Sequence, residues 1–104
     1  MRVTDNMRPG GTGEFILDGS AQQLPNRGAV AVILKAKSGN AANLWVGTTS
    51  GVTAASGGTD QTSGLELKPG EISPTILLEA NLNELWVIGT NLEGLTYLIY
   101  DYVR

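Results

Sequence analysis

From Gly28 to Lys37 the chain alternates. Val30, Val32, Leu34 and Ala36 fall on one side, and Ala31, Ile33, Lys35 and Lys37 on the other. Period-two patterning of this kind predicts a β-strand with one buried face, the second face turning wet at its lysine end. The same rhythm recurs in Asn43 to Gly47, where Leu44 and Val46 oppose Trp45, and in Leu85 to Ile88, where Leu85 and Val87 oppose Trp86. It is longest in Leu95 to Val103: Leu95, Tyr97, Ile99 and Val103 share a face with Asp101, while Thr96, Leu98, Tyr100 and Tyr102 share the other. Both faces of this last strand carry large apolar groups. One face belongs to a core, and the other calls for a cover such as a second subunit.

Shorter extended segments complete the set at Glu14–Leu17, Ser50–Thr53, Leu65–Leu67 and Ile72–Glu79. Turn chemistry separates them. Asp18-Gly19, Pro25-Asn26 and Ser38-Gly39-Asn40 are loop signals, and Lys68-Pro69-Gly70-Glu71 places proline and glycine at the two central positions of a turn. Pro74 demotes the start of its strand to an edge or bulge. No helical period fits; the best window, Thr75 to Leu85, is interrupted by Asn81 and Asn83. The expected fold is all-β, a single β-sandwich or β-barrel of seven to eight short, mostly antiparallel strands. The simplest topology pairs the Gly28–Lys37 and Asn43–Gly47 strands as a hairpin. Val30, Val32, Leu34, Leu44, Val46, Leu85, Val87 and Ile99 are expected to share one interior.

Residues 1–13 break the pattern. They are polar and glycine-rich, with Arg8-Pro9-Gly10-Gly11 as a breaker, and predict a flexible N-terminal arm ahead of a domain over 14–104. The arm carries Arg2 and Arg8, which could meet acidic groups on a partner as the backbone pairs with a sheet edge. Charge is unevenly spread. Through Asn40 there are five basic and three acidic residues; from Ala41 onward there are two basic and seven acidic. An acidic body argues against nucleic acid as a partner, and no apolar run approaches the ~20 residues of a membrane span. The first residues lack the apolar stretch of a secretory signal.

Chemistry is scarce. The chain of 104 residues contains no histidine and no cysteine. That removes the usual general base, the commonest metal ligand and any nucleophilic triad. The acidic residues Glu71, Glu79, Glu84 and Glu93 sit at turns, where solvated charge belongs, and Asp60 in its small-residue loop is a weak calcium ligand at best. Gly10-Gly11-Thr12-Gly13 matches neither a dinucleotide fingerprint nor a phosphate loop. No catalytic, cofactor-binding or metal-binding residue is expected, and the chain does not read as an enzyme.

The segments Asn43–Thr49 and Glu84–Thr90 are near twins, NLWVGTT and ELWVIGT, on either side of a loop of small polar residues around Gly57. Similar strand environments account for them better than an internal duplication does, because the flanking sequence does not repeat. The order Trp45-Val46-Gly47, Val52-Thr53, Leu67-Lys68-Pro69-Gly70-Glu71, Leu85-Trp86-Val87-Ile88 and a tyrosine-rich last strand resembles small structural domains of tailed-bacteriophage virions, over Val30 to Val103. The resemblance implies a virion component, foremost a capsid decoration (cement) protein on the outer shell, made in the host cytoplasm. Its implied partners are the major capsid protein or other virion proteins and further copies of itself, a trimer first. Arg2, Arg8, Leu98, Tyr100 and Tyr102 are the candidate partner-binding residues. A head–tail junction or tail accessory protein is a second expectation. A carbohydrate-binding or adhesion module using Trp45, Trp86 and Tyr97 as stacking platforms is a third.

Overall fold

A computed structural model describes residues 7–54 and 64–102. Eight strands follow in order: β1 (Met7–Ile16), β2 (Gln22–Gln23), β3 (Ala31–Ala36), β4 (Leu44–Gly47), β5 (Leu65–Leu67), β6 (Ile76–Leu77), β7 (Trp86–Ile88) and β8 (Gly94–Tyr102). One turn of 3-10 helix, Leu82–Glu84, precedes β7. The strands form two four-stranded antiparallel sheets, β1-β8-β3-β6 (the first sheet) and β2-β7-β4-β5 (the second). The chain is an all-β sandwich.

The core lies between the sheets. Val32, Leu34, Ala36, Leu95, Tyr97 and Ile99 enter it from the first sheet, and Leu44, Val46, Leu67 and Val87 from the second. Leu85, expected inside, is buried there just ahead of β7. Of the residues expected inside, Val30 alone is only half-buried. Leu17, Leu24 and Leu82 are equally buried but lie outside the strands, so no alternation marks them.

The expected hairpin between β3 and β4 does not form. β3 pairs with β8 and β6, and β4 pairs with β5 and β7 in the opposite sheet. Period two says which side chains are buried, but two strands can bury their apolar faces against each other across a core as well as side by side. The connection crosses between sheets and is tied down on the way. The Glu93 carboxylate accepts the N–H of Ala41 at 2.6 Å, and the Asn40 amide mimics a backbone partner for Gly94, donating to its carbonyl at 2.9 Å and accepting its N–H at 3.1 Å.

The arm expected over 1–13 is overturned from Met7 onward. Met7 to Ile16 form the longest strand, paired with β8 from Met7 opposite Tyr102 to Ile16 opposite Gly94. Main-chain pairing requires no apolar side chain, and the edge of β8 needs a partner for its backbone groups. The breaker residues appear as a bulge between Pro9 and Gly11, a feature that bends an edge strand without ending it. Gly13 fits because the phenol of Tyr97 occupies the space a Cβ would need. Residues 1–6, including Arg2, lie outside the described residues, as do 55–63 with Asp60, and 103–104.

Two further segments are shorter than expected. Ser50–Thr53 contributes no named strand, although Gly64 donates its N–H to the Thr53 carbonyl at 3.2 Å. Of Ile72–Glu79 only β6 is regular. Ser73 replaces a ladder partner with its side chain, its hydroxyl accepting the Leu34 N–H at 2.9 Å and donating to the Pro74 carbonyl at 2.8 Å. Pro74 thus stands where a sheet edge tolerates it, as its missing N–H demands.

Candidate functional site

The outer face of the first sheet can be built row by row from the register. Tyr100 of β8 stands opposite Pro9 of β1 and Ala31 of β3, and Ala31 stands opposite Leu77 of β6. In the next row Leu98 lies between Thr12 and Ile33. In the third, Thr96 lies between Glu14 and Lys35, and Lys35 is bridged to Ile72. Alternation sends all of these side chains away from the core. The first two rows are therefore apolar nearly from edge to edge. Leu77 and Ile72 are 62% and 61% exposed, while Ile33, Leu98 and Tyr100 are half-buried by one another.

A shallow depression of about 470 Å³ runs across this face, lined by Thr12, Glu14, Ile33, Lys35, Ile72 and Leu98 among others. Glu14 forms an ion pair with Lys37 along its margin. β1 is fixed beside it from below. The Arg27 guanidinium lies 5.9 Å from the centroid of the Tyr97 ring and donates to the Thr12 carbonyl at 3.2 Å. It holds the strand through a cation–π contact and a charge-assisted hydrogen bond.

Three of the sequence-predicted partner residues meet on this face. Leu98 and Tyr100 are central, and Tyr102, 48% exposed, continues the row of β8 opposite Met7. Arg8 does not join them. It pairs with Asp101, whose side of β8 is the core side, so Arg8 lies past the end of the interior and off the apolar face. Arg2 is outside the described residues. Ile33, Ile72 and Leu77 belong to the face and were missed as partner residues. Ile33 carried a signal in the sequence, an isoleucine on the lysine-bearing side of its strand. Ile72 and Leu77 carried little, flanking Pro74 in a segment with no clear alternation.

The second sheet presents a different outer face. Val46 of β4 stands opposite Val87 of β7, so the twin segments are neighbours that pair with each other. Their leucines and valines are buried, and their tryptophans point outward from the same sheet, half-buried: Trp45 opposite Ile88 and Glu66, Trp86 opposite Gly47 and Gln23. Tyr97 is a correction. It sits in the core between the sheets and cannot serve as a stacking platform beside them.

Among the described residues no group of three or more acidic side chains is arranged to hold a metal ion. Apart from Glu14 on Lys37 and Asp18 on the Ser20 hydroxyl, the carboxylates in close contact serve the backbone. Glu84 accepts N–H groups from Glu79, Ala80 and Asn81 at 2.7–2.8 Å. These bonds, with Ala80 foremost, hold its carboxyl below the usual glutamate range. No protein-family model, curated protein or solved structure matches the chain.

Proposed function

We propose that this chain is a virion structural protein, a decoration (cement) protein that binds the outer shell of a capsid through the apolar outer face of its first sheet. The observation that carries the reading is the run of Tyr100, Leu98, Ile33 and Leu77 across β8, β3 and β6 on one face, with Ile72 bridged beside β3. A sandwich of this size needs one apolar face per sheet, and contiguous exposed apolar surface marks a contact site. The motif order between Trp45 and Ile88 gives the virion its place in the reading. Such a protein stabilises a shell by mass action: it binds the assembled lattice and not the opened one, and it does so at several points at once. It needs no catalytic group, metal or cofactor. Its partners are the major capsid protein or other virion proteins and copies of itself, with a trimer suited to a site of local three-fold symmetry.

The test is co-sedimentation with capsids of the parent virus. The unmodified protein is expected to pellet with capsids and to raise the temperature at which they open. A Leu98→Thr, Leu77→Glu variant is expected to stay in the supernatant while keeping its melting temperature. Equal binding by both proteins would overturn the assignment of the face. Binding to isolated tails and not to capsids would move the protein to the junction or tail. One observation favours a second reading, carbohydrate binding: Trp45 and Trp86 share an outer face and are partly exposed. Quenching of tryptophan fluorescence by oligosaccharides, lost in Trp45→Ala, would support that reading over the first.

A further inference from the structure

We propose that β1 is exchanged between copies: the edge of β8 in one copy receives Met7–Ile16 of a second copy, in the register it makes with its own. The inference rests on the reading that the chain assembles with itself.

Burial is the first reason. β1 is the longest strand, yet none of its ten residues is buried. Every other strand of three residues or more places at least one side chain in the core. The buried cluster begins at Leu17, and from β1 only Phe15 packs against it. The buried cluster is therefore built without a fully buried side chain from β1.

The backbone is the second. Lys37 donates its N–H to Gly94, so by antiparallel alternation Thr96, Leu98 and Tyr100 direct their backbone groups toward β3. Leu95, Tyr97 and Ile99 then direct theirs toward β1. An absent β1 leaves these groups unpaired beside a buried face, so the site always demands a strand. Which copy supplies it does not matter to β8. The other groups that hold β1 are the Arg27 guanidinium on Thr12, Lys37 on Glu14 and the Tyr97 ring under Gly13. All belong to the rest of the domain, and all can be made again by a β1 from elsewhere. Exchange of an identical element costs no contact, which makes it a low-cost route to a closed assembly.

The third reason is the connection. β1 lies in the first sheet and β2 in the second, and the chain crosses between them through Leu17–Ala21. Leu17 is clamped, donating to Glu93 and accepting from Leu92, both at 2.8 Å. Ile16, just before the clamp, is exposed. Rotation at that junction turns β1 away from its own β8 as one piece. Pro9, Gly10 and Gly11 weaken its hold on that side, because a bulge and glycines lose entropy without adding packing. Copies held together by the apolar outer face would present neighbouring β1 strands at high effective concentration.

The experiment uses the full chain, which has no cysteine. Glu14→Cys with Thr96→Cys places two thiols opposite each other in a pair without backbone hydrogen bonds, where Cα atoms stand about 4.5 Å apart, close enough for a disulfide. The protein is held at a range of concentrations, diluted quickly and oxidised, then run on a non-reducing gel with light scattering in parallel. Exchange predicts linked dimers and larger species, their share rising roughly ten-fold or more between about 10 µM and about 1 mM as mass action requires. Links only within single chains, in samples that scatter as oligomers, would overturn exchange and leave self-assembly standing. Links only within single chains, in samples that stay monomeric throughout, would overturn both. Should the double variant fold poorly, Glu14→Cys chains mixed with Thr96→Cys chains read the same outcome, since only exchange brings these two thiols opposite each other.

Discussion

The two faces of the first sheet are built from the same kinds of residue and meet opposite fates. Leu95, Tyr97 and Ile99 alternate along β8 with Thr96, Leu98 and Tyr100, and Val32 and Leu34 alternate along β3 with Ala31 and Ile33. On the inner side the second sheet covers them, and Val32, Leu34 and Leu95 have no exposure at all. On the outer side no second layer among the described residues covers Ile33, Leu98 and Tyr100, which stay partly exposed, and Leu77 and Ile72 lie open beside them. Hydrophobicity alone therefore does not define an interior here. The inner face is where folding free energy is gained, and the outer face holds apolar area that association can still remove from water.

The largest expected effect breaks the inner face. Leu34→Ala leaves a cavity at a fully buried site and should cost about 2–4 kcal/mol in denaturant unfolding, whereas substitutions on the outer face should stay within about 0.5 kcal/mol. Equal costs on the two faces would erase the distinction. Next comes the seat of β1. Gly13→Ala drives a methyl into the Tyr97 phenol and should cost roughly 1–3 kcal/mol by overpacking. It should also release β1, read as faster amide exchange in Thr12–Ile16 than in β3.

A smaller effect tests the turns that aim β7. Because the Glu84 carboxyl is held below its usual range when folded, its contribution is fully present above that range and is lost as pH falls through the folded value. Glu84→Gln should flatten the acid limb of the stability profile and leave stability near pH 7 less than the unmodified protein's. An unchanged acid limb would remove Glu84 from the account. The smallest effect lies outside both faces. Leu92 adopts a φ of 71° in the turn before β8 and is almost fully exposed. That conformation suits asparagine better than leucine, so Leu92→Asn should gain up to about 1 kcal/mol without altering association.

The alternation of β3, β4, β7 and β8 was legible because each has one side facing the core and the period survives for several residues. The pairing of those strands was not. Leu44 and Val46 look the same from the sequence whether they sit beside Val32 and Leu34 or across the interior from them. β1 was hidden for another reason. Nothing in Arg8-Pro9-Gly10-Gly11 favours extension; what makes it a strand is the unfilled edge of β8, nearly a whole chain length away. The candidate face was legible at Leu98, Tyr100 and Tyr102, since a final strand apolar on both sides needs two covers. It was illegible at Leu77 and Ile72, which join that face only through pairing with β3. Tyr97 shows the converse error. Its alternation with Leu95 and Ile99 already placed it inside, and treating it as a surface platform set aromatic identity above position.

The central claim is that the outer face of the first sheet is a contact surface, and sedimentation equilibrium tests it most directly. The unmodified chain and the Leu77→Glu, Leu98→Thr variant are compared from micromolar to near-millimolar concentration, with melting temperatures measured alongside. The account predicts an oligomer, a trimer first, for the unmodified chain, and a monomer with unchanged melting for the variant. The same molar mass for both proteins at every concentration would contradict it.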